Sequence, residues 1–571
     1  MTKYLDFKEA RCKDCYKCLR ECLVKAIDVK NHQAKIIDDR CILCGHCTTV
    51  CPQNAKVVHS ELDSVRSLLT SGDKIIASVA PSFVSSFQIQ DFSVFKIALG
   101  KVGFADADET SVGAKAVVGE YKKQLESGEF KNYIASACPA LCHLIQIYYP
   151  MALRYLAPVD SPMIAHAKIL KEQYPNAKIV FIGPCIAKKR EASESHLIDG
   201  VLTFEDLKVL FDEKNIVLEE ITKLSVNKKE CSSNPAKAFP ISHGIIKSFD
   251  ILPDGYEYMS VDGVSRCMEV LEHIESLSGV FLEMNTCENS CVNGPCSMIV
   301  PGGSVKATSD VRSYVKKDKE KSSSLLNKTY NINFSSMYPR MRNNSRPASE
   351  KDIEAILART GKTKPEDELN CSACGYSSCR EKAWAVYNGY ADIEVCLPYM
   401  RKRAESMSYE VIQNSPEGLI VLDSDLNIME INNKAKSLLG IKDQYIKGRP
   451  AVDFFDPSDF LEAYNKKRHI DRNRMFIRET NKYIDLSINL LSEHNTLFGI
   501  MKDVTAQVNY DDKLAKMKME TLQTTDGVIQ KQMRVAQEIA SLLGETTAET
   551  KVALLRLKKT LQKEENSQGE K

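Results

Sequence analysis

The sequence lacks any apolar run long enough to cross a membrane. Its most apolar stretch, residues 141–159, is interrupted by Gln146, Pro150 and Arg154. An uninterrupted span would need ~18 apolar residues. The opening residues also lack the apolar core of a secretory signal. We therefore expect a cytoplasmic protein that does not insert into membranes.

The chain has almost no excess of charge of either sign. With 77 Lys and Arg against 76 Asp and Glu, its net charge is +1. This balance gives no electrostatic reason to expect nucleic acid or an acidic membrane as a partner. The 571 residues are 43% hydrophobic and 27% charged, which is an ordinary globular composition. At ~150 residues per domain, the length predicts about three to five domains.

Cysteine, in contrast, is abundant, with 20 residues. Without a secretory signal, this number indicates metal or redox use and not disulfides. Within residues 1–58, two runs share the spacing C-x2-C-x2-C-x3-C and form an internal repeat. The runs are Cys12, Cys15, Cys18 and Cys22, then Cys41, Cys44, Cys47 and Cys51.

This repeat is typical of two-cluster bacterial ferredoxins, in which the fourth cysteine of each run ligates the other cluster. We predict one [4Fe–4S] cluster on Cys12, Cys15, Cys18 and Cys51, and a second on Cys41, Cys44, Cys47 and Cys22. A zinc ribbon is the alternative, but it usually has only two cysteines per knuckle. A segment of this size buries too little core to fold alone, so the clusters would serve as its core.

Residues 59–315 are predicted to form a second domain, in which strands and helices alternate. The segments 75–83, 131–135 and 178–182 have the apolar pattern of buried strands, and a helix is predicted over 162–174. This order predicts α/β layers with a site at the strand ends. Single cysteines follow two of the strands, and a C-x3-C pair lies further on. These four cysteines are Cys138, Cys185, Cys287 and Cys291.

Four thiolates suffice for one cubane cluster, although Cys138 and Cys185 taken singly could be buried structural thiols. The set resembles the active-site domain of the iron-only ([FeFe]) hydrogenases. The resemblance implies that these four cysteines hold a [4Fe–4S] cluster. It also implies that Cys291 bridges to a di-iron subsite with CO, cyanide and dithiolate ligands. This combined group is the H-cluster.

The resemblance extends to residues around that subsite. Pro184-Cys185-x2-Lys188-x2-Glu191 matches a family signature, whose lysine donates a charge-assisted hydrogen bond to an iron-bound cyanide. The alternative for Lys188 is a surface lysine. Pro81 and Ser82 resemble the turn that faces the second cyanide.

The chain also departs from the family. Ala137 stands where the family has a cysteine that passes protons to the di-iron subsite, and a methyl group has no exchangeable proton. Gly183 and Asn285 replace two methionines. These departures resemble the sensory subgroup, with an H-cluster kept for binding and turnover weakened.

Residues 316–346 are predicted to be a poorly packed linker.

In residues 347–400, Ser349 and Asp352 predict a helix cap. A further cysteine set resembles the small [4Fe–4S] module of corrinoid iron–sulfur proteins, with zinc as the alternative. It comprises Cys371, Cys374, Cys379 and Cys396. These assignments leave Cys142, Cys231, Cys267 and Cys296 without a role.

Residues 405–508 contain no cysteine. Strands are predicted near 418–422, 426–433, 482–491 and 497–504, with helices between. This order resembles a PAS sensor domain. Flavin–cysteine photochemistry is excluded. His469 and His494 are the only possible haem ligands in this domain, and we expect both to be surface residues. We assign no cofactor to this domain.

Residues 509–571 are predicted to be helical. Leu522, Ile529, Ala536 and Leu543 recur every seven residues, which is typical of a coiled coil, and a homodimer is its simplest partner. No ATP-binding pattern follows. The sequence therefore implies a separate signalling protein, a kinase or phosphatase.

The whole sequence predicts a multidomain α/β and α+β protein with four [4Fe–4S] clusters, one of them within the H-cluster. The interpretation we favour is an H2 or redox sensor with slow hydrogenase activity. The alternative is a metabolic hydrogenase that exchanges electrons with ferredoxin or another carrier. A structural iron–sulfur scaffold without a di-iron subsite is a third possibility.

Overall fold

The computed structural model describes residues 4–8, 11–30, 33–224, 234–298, 300–319, 331–341, 344–443, 446–491, 495–543 and 547–566. Cys231 and His494 lie outside the described residues. The chain divides into two compact units, Met1–Met400 and Arg401–Lys571. Among the described residues, no helix is both long and apolar enough to cross a membrane.

The ferredoxin-like segment is built on two small antiparallel strand pairs. Its elements are β1 Leu5–Phe7, α1 Lys17–Glu21, β2 Ile27–Lys30, β3 Gln33–Ile36, α2 His46–Thr49 and β4 Lys56–Val58. β1 pairs with β4, and β2 with β3. The helices α1 and α2 each carry the third cysteine of a run. Each begins after a left-handed residue, Tyr16 at φ 55° and Gly45 at φ 76°. The sequence repeat is therefore also a structural repeat.

The next part of the chain alternates strands and helices, as predicted. Its elements are α3 Leu62–Leu69, β5 Ile75–Val79, α4 Phe83–Phe87, α5 Phe92–Val102, β6 Asp106–Glu109, α6 Ser111–Ser127, β7 Tyr133–Ile134, α7 Pro139–Tyr148, α8 Pro162–Gln173, β8 Lys178–Ile182, α9 Ala187–Ser195, β9 Gly200–Leu202, α10 Phe204–Glu213, α11 Leu218–Leu224, β10 Glu257–Asp262, α12 Val264–His273, β11 Val280–Asn285 and α13 Gly303–Lys319.

These strands form two parallel sheets. One has the order β6-β5-β8-β9 and the other β10-β11-β7. Every residue of β5 and of β11 is buried, as expected for parallel strands covered by helices on both faces. Phe83, Phe95 and Leu99 lie in the core beside the first sheet, and Tyr133 stacks on Phe281 in the second. Parallel strands bring several carboxyl ends to one edge, where a site can form.

The described part of the predicted linker is mostly exposed, but a few of its side chains are anchored to the preceding domain. α13 extends to Lys319, and Phe334 is buried among residues of the second sheet's core. The Tyr338 hydroxyl donates to the carbonyl of Val159 at 2.8 Å, and Gln146 donates to the carbonyl of Pro339 at 2.9 Å. Residues 331–341 are therefore held by single side-chain contacts and one isolated bridge between Val159 and Ser335.

The small cysteine module has two main helices, α14 Glu350–Arg359 and α15 Cys379–Tyr387. Ser349 and Asp352 form the predicted capping box. α16, Leu397–Gln413, begins directly after Cys396.

The second unit contains a five-stranded antiparallel sheet in the order β13-β12-β16-β15-β14. Its elements are β12 Gly418–Leu422, β13 Ile428–Ile431, α17 Asn433–Leu439, α18 Ser458–Lys466, β14 Ile470–Ile477, β15 Lys482–Leu491 and β16 Thr496–Asp503. The sequence analysis missed β14. Ile470 is the one buried residue of this strand, and polar residues follow it at the next four positions, so no apolar alternation appears.

Two long helices end the chain, α19 Thr505–Leu543 and α20 Thr547–Asn566. α19 begins before the predicted boundary at residue 509. Lys558 on α20 lies 3.4 Å from Asp526 on α19, so the two helices fold back on each other. A coiled coil between chains stays a prediction.

Candidate functional site

The four cysteines of the predicted active-site set line one cavity of about 50 Å³. Cys138 follows β7, Cys185 follows β8 and Cys287 follows β11, so both sheets contribute ligand loops. Cys291 opens a 3₁₀ turn four residues later. The carboxyl ends of the strands therefore bring thiols that are distant in sequence to one place, as predicted.

The turn between Cys287 and Cys291 is strained. Ser290 has φ 64° and ψ −162°, a backbone region that is essentially restricted to glycine. Its side chain is fully buried, and its Oγ has no hydrogen-bond partner among the described residues. Such strain costs about 1–3 kcal/mol and is typical of functional loops.

Lys188 lines the same cavity from α9 and is buried, so it is not the surface lysine of the alternative interpretation. Its Nζ donates to Ser161 Oγ at 2.9 Å and to Glu191 Oε2 at 2.6 Å. Burial lowers the pKa of Lys188, but Glu191 and the thiols of Cys185 and Cys138 more than offset this, so its pKa is raised overall. The site therefore holds a buried ammonium.

The other predicted site residues, Ala137, Pro81 and Ser82, do not all line the cavity. Ala137 lines the cavity, whereas Pro81 and Ser82 are not among its lining residues. Ser82 is nevertheless buried, and within the described residues its Oγ has no hydrogen-bond partner. A buried hydroxyl without a partner is costly, which fits an acceptor that belongs to a bound group.

Gly183 has no room for the methionine of the family pattern. A Cβ at Gly183 would lie 2.8 Å from ring carbons of Phe181 and 3.1 Å from the Cβ of Ala80. Phe181 thus occupies the space that a longer side chain would need.

A row of buried polar groups beside the cavity was missed by the sequence analysis. Asn285, a lining residue, donates to Asp262 Oδ1 at 3.2 Å, and Ser242 donates to the other oxygen of Asp262. The register of β10 and β11 pairs Asp262 with Asn285. Polar residues at the ends of otherwise apolar strands were the available sequence clue.

Glu283 lies two residues earlier on β11 and is fully buried. Its oxygens accept hydrogen bonds from the backbone N–H groups of Gly244 and Ile246, each at 3.0 Å. Burial raises the pKa of Glu283 to about 7, with the nearby Asp262 carboxylate adding to the effect.

The structure groups the ferredoxin-like cysteines as the repeat predicts. Cys12, Cys15, Cys18 and Cys51 line one cavity of about 20 Å³. In the other set, burial is the main cause of the raised pKa of Cys47, and the neighbouring thiols of Cys41, Cys44 and Cys22 add to it. The fourth cysteine of each run therefore lies with the opposite run.

The second of these sets adjoins the active-site cavity. Cys44 is itself a lining residue beside Leu43. A Cβ at Gly45 would lie 2.4 Å from the Cβ of Pro295, so only glycine permits this approach. The two cysteine sets are thus neighbours across a tight contact.

The third group, in the small module, lines a cavity of about 30 Å³. Its members are Cys371, Cys374, Cys379 and Cys396. Lys362 donates to Cys396 Sγ at 3.5 Å. The buried Lys382 donates to the carbonyls of Ile393 and Val395, and burial lowers the pKa of Lys382.

The thiols fit iron–sulfur clusters. Soft thiolate sets of four suit such clusters, and three of the predicted sets each surround a small cavity. Within the described ranges, no group of three or more His, Cys, Asp or Glu side chains is arranged to hold a single metal ion.

Comparison with known proteins agrees with this arrangement. Residues 73–295 match the model of the iron only hydrogenase large subunit, C-terminal domain. The chain contains a hydrogenase domain. Residues 11–55 match a 4Fe-4S dicluster domain, residues 367–398 an Fe-S cluster domain and residues 416–506 a PAS domain. Each matched range lies within one of the domains expected from the sequence.

A curated relative of the hydrogenase domain is the NADP-reducing hydrogenase subunit HndD of Solidesulfovibrio fructosivorans, 23% identical over 288 residues. The match covers 43% of this chain and 48% of the relative, so it spans about half of the relative's length.

Two solved structures are also similar. One is the [FeFe]-hydrogenase HydA1 from Chlamydomonas reinhardtii, 14% identical with TM-score 0.37, covering 46% of this chain and 91% of that chain. The other is the PAS domain of an HTR-like protein from Haloarcula marismortui, 20% identical with TM-score 0.15, covering 18% of this chain and 98% of that chain.

The remaining described cysteines of the hydrogenase domain are not among the lining residues of its cavity. Cys142, Cys267 and Cys296 are buried and line none of the three cavities. Cys142 donates to the carbonyl of Ser136, and Cys267 to that of Asn285. They pack as small apolar side chains with a weak donor.

Proposed function

We propose that the chain binds H2 at an H-cluster in its hydrogenase domain and acts as an H2 or redox sensor with slow hydrogenase activity. Cys138, Cys185, Cys287 and Cys291 would hold the [4Fe–4S] part, and Cys291 would bridge to the di-iron subsite with its CO, cyanide and dithiolate ligands. When bound, this group supplies the metal chemistry that binds and splits H2. The observation that carries the proposal is the convergence of these thiols and Lys188 on one cavity.

The cavity residues suit a bound anionic group. Lys188 is kept charged and is oriented by Glu191 and Ser161, so it can donate a charge-assisted hydrogen bond to a cyanide. Ser82 is not a lining residue, but its buried hydroxyl lacks a partner among the described residues and could donate to a second cyanide.

The position of Ala137 supports sensing over fast turnover. It lines the cavity with a methyl group, which can neither accept nor release a proton. A sensor needs to bind H2 and tolerates slow proton delivery, whereas an efficient enzyme needs a complete proton path.

The output of such a sensor would run through the PAS domain and the helices α19 and α20. We expect a homodimer through α19 and a separate kinase or phosphatase as the receiver of the signal. Electrons would enter or leave through ferredoxin or another carrier.

A metabolic hydrogenase is the second candidate. The adjacent cysteine sets suit electron exchange with a carrier, and the curated relative is named as a hydrogenase subunit. The two candidates differ in turnover rate, which must be high for the enzyme.

The test begins with iron and sulfide content after anaerobic reconstitution. Four cubanes predict about sixteen irons per chain, while eight irons with stoichiometric zinc would refute the cluster assignment. After insertion of the di-iron unit, infrared bands of CO and cyanide that shift under H2 would support the sensor. Absence of these bands after successful maturation would favour the scaffold alternative.

A further inference from the structure

We propose that the small module is a fixed internal electron-transfer partner of the two ferredoxin clusters, docked to them through Gly375 and Arg40. The inference rests on the proposed iron–sulfur assignment of Cys371, Cys374, Cys379 and Cys396. One electron would pass from a reduced cluster to an oxidised one, with no bond or proton involved. Its source would be H2 oxidation in the cell or a chemical reductant in the test.

The backbone of the module lies close to the backbone of the ferredoxin domain at Gly375. Gly375 directly follows Cys374 and has φ +83°. A Cβ at Gly375 would lie 3.0 Å from the carbonyl oxygen of Leu19 and 3.1 Å from Cα of Arg20. Leu19 and Arg20 stand on α1 between Cys18 and Cys22, which the repeat assigns to different clusters. Gly375 therefore contacts a helix that stands between ligands of both predicted clusters.

Polar and apolar contacts extend this approach on both sides. The Lys25 ammonium donates to the carbonyl of Gly375. Val395, the residue before Cys396, packs against the buried core cluster of the ferredoxin domain, as do the half-buried Cys18 and Cys22; the core cluster is Leu19, Ile27, Val29 and Ala34. Residues next to Cys374 and Cys396, two of the module's four predicted ligands, thus contact the ferredoxin domain.

Arg40 fixes the orientation of the module. Its Cζ lies 4.5 Å from the ring centroid of Tyr390 and 5.8 Å from that of Trp384, both in the module. It also lies 5.5 Å from the ring of Tyr148 in the hydrogenase domain. The guanidinium is buried, and its Nη2 donates to the carbonyl of Val24 at 3.3 Å. Cation–π contacts with desolvated rings are strong, so one side chain joins three domains.

This arrangement gives the module a place in the electron path. The ferredoxin cluster on Cys41, Cys44, Cys47 and Cys22 adjoins the hydrogenase cavity through Cys44. The module lies against α1 of the ferredoxin domain, and its last cysteine directly precedes α16. Electrons from the hydrogenase domain would therefore reach the start of the helix that leads to the PAS domain.

The experiment uses the full chain, reconstituted with iron and sulfide, without the di-iron unit, and reduced with dithionite. Electron paramagnetic resonance of the native protein should show spin–spin broadening, and removing the module's cluster by Cys371→Ser with Cys374→Ser should abolish the part of it that exceeds the coupling among the remaining clusters. Gly375→Val should reduce the same part of the broadening with full iron content, because its branched side chain pushes against the Leu19 carbonyl. Lys25→Met provides a second, milder displacement and should reduce it.

Gly361→Ala is the matched control. Gly361 is also a module glycine with positive φ, at 73°, but a Cβ there would meet nothing within 4 Å. It should keep the broadening. A native spectrum with no more broadening than that of the Cys371→Ser, Cys374→Ser variant would overturn the inference, as would unchanged broadening in both Gly375→Val and Lys25→Met. Because the di-iron unit is absent, failure of H2 binding in the matured protein leaves this result unaffected.

Discussion

Lys188 donates a hydrogen bond to Glu191, 2.6 Å away and one turn further along the same helix. The pair is largely buried, and the ammonium is left facing the thiol-lined cavity. An ion pair in this position holds a cation beside the place where an anionic ligand would bind. The pair therefore connects the stability of α9 with the binding function of the cavity.

The Lys188→Met substitution should remove this positive charge from the cavity. We expect a loss of about 1–3 kcal/mol in the free energy of unfolding, because Glu191 loses its partner. We also expect loss of the infrared CO and cyanide bands after maturation, with the four-iron content unchanged. Adding Glu191→Gln should restore stability but not the bands. Lys208→Met, at an exposed position of α10, is the control, and equal retention of the bands in all variants would contradict the role of Lys188.

Glu283 should make stability depend on pH. Its folded pKa is raised from 4.5 to about 7, so its contribution is present below about pH 4.5 and is lost as pH rises through about 7. The size of this contribution is about 3 kcal/mol. The Glu283→Gln variant lacks this pH-dependent contribution to stability and also loses an acceptor for a backbone N–H. The stability gap between native protein and variant should therefore shrink from about pH 5 to about pH 8.

Chemical unfolding at several pH values measures this gap. Glu257→Gln, at an exposed position of the neighbouring strand β10, should show no change in the gap with pH. A gap between native protein and Glu283→Gln that widens as pH rises would show that the buried carboxyl is ionised in the folded state.

Gly183→Met, which would restore the family pattern, should destabilise the hydrogenase domain. The new side chain starts 2.8 Å from the ring of Phe181, and such overpacking costs about 1–3 kcal/mol. Gly183→Met combined with Phe181→Ala should cost less than the sum of the two single changes, measured by thermal unfolding. Gly100→Met, at an open helical position, is the control. Strict additivity would contradict the proposed steric conflict.

The grouping of the cysteines could be predicted because it depends on local spacing and on strand order. The ferredoxin repeat predicted that Cys22 and Cys51 exchange partners, and the structure places them so. Ligation itself stays a prediction. The parallel strands likewise followed from short apolar segments, and Cys138 and Cys185 lie at strand ends as expected.

What the sequence could not predict depends on contacts between distant segments. The pairing of Asp262 with Asn285 arises from the register of two parallel strands. The enclosure of Arg40 by Tyr390 and Trp384 arises from docking between domains. Residues 331–341 gave no periodic pattern, yet Phe334 is buried. Single anchoring side chains leave no recognisable trace in composition or period.

Asn432 should be essential for joining α16 to the PAS sheet. Its Oδ1 accepts from the N–H groups of Leu419 and Ala435, and its Nδ2 donates to the carbonyls of Ile412 and Glu417. Asn432→Ala loses a helix cap and leaves buried groups unpaired, at a cost of about 2–4 kcal/mol. Hydrogen exchange should increase at the C-terminal end of α16. Asn433→Ala, which removes an exposed side chain, should change neither quantity, and similar exchange in both variants would contradict the prediction.

Ala137→Cys tests the proposed function most directly. A positioned acid–base group typically contributes 10²–10⁴-fold to a rate, about 3–5 kcal/mol of barrier. The native protein, with a methyl group at this lining position, should evolve H2 slowly from a reduced dye. The variant should be at least ~10-fold faster at equal di-iron occupancy, provided that the rest of a proton path to the surface exists.

The outcomes separate the two candidate functions. Native turnover as fast as that of efficient hydrogenases would refute the sensor, whatever the variant does. A slow native protein with an unimproved variant would keep the sensor and place the block elsewhere in the proton path. Asn285 would then be the next position to change, because it lines the cavity and already bonds to Asp262. Gly183 would not be, since Phe181 leaves it no space.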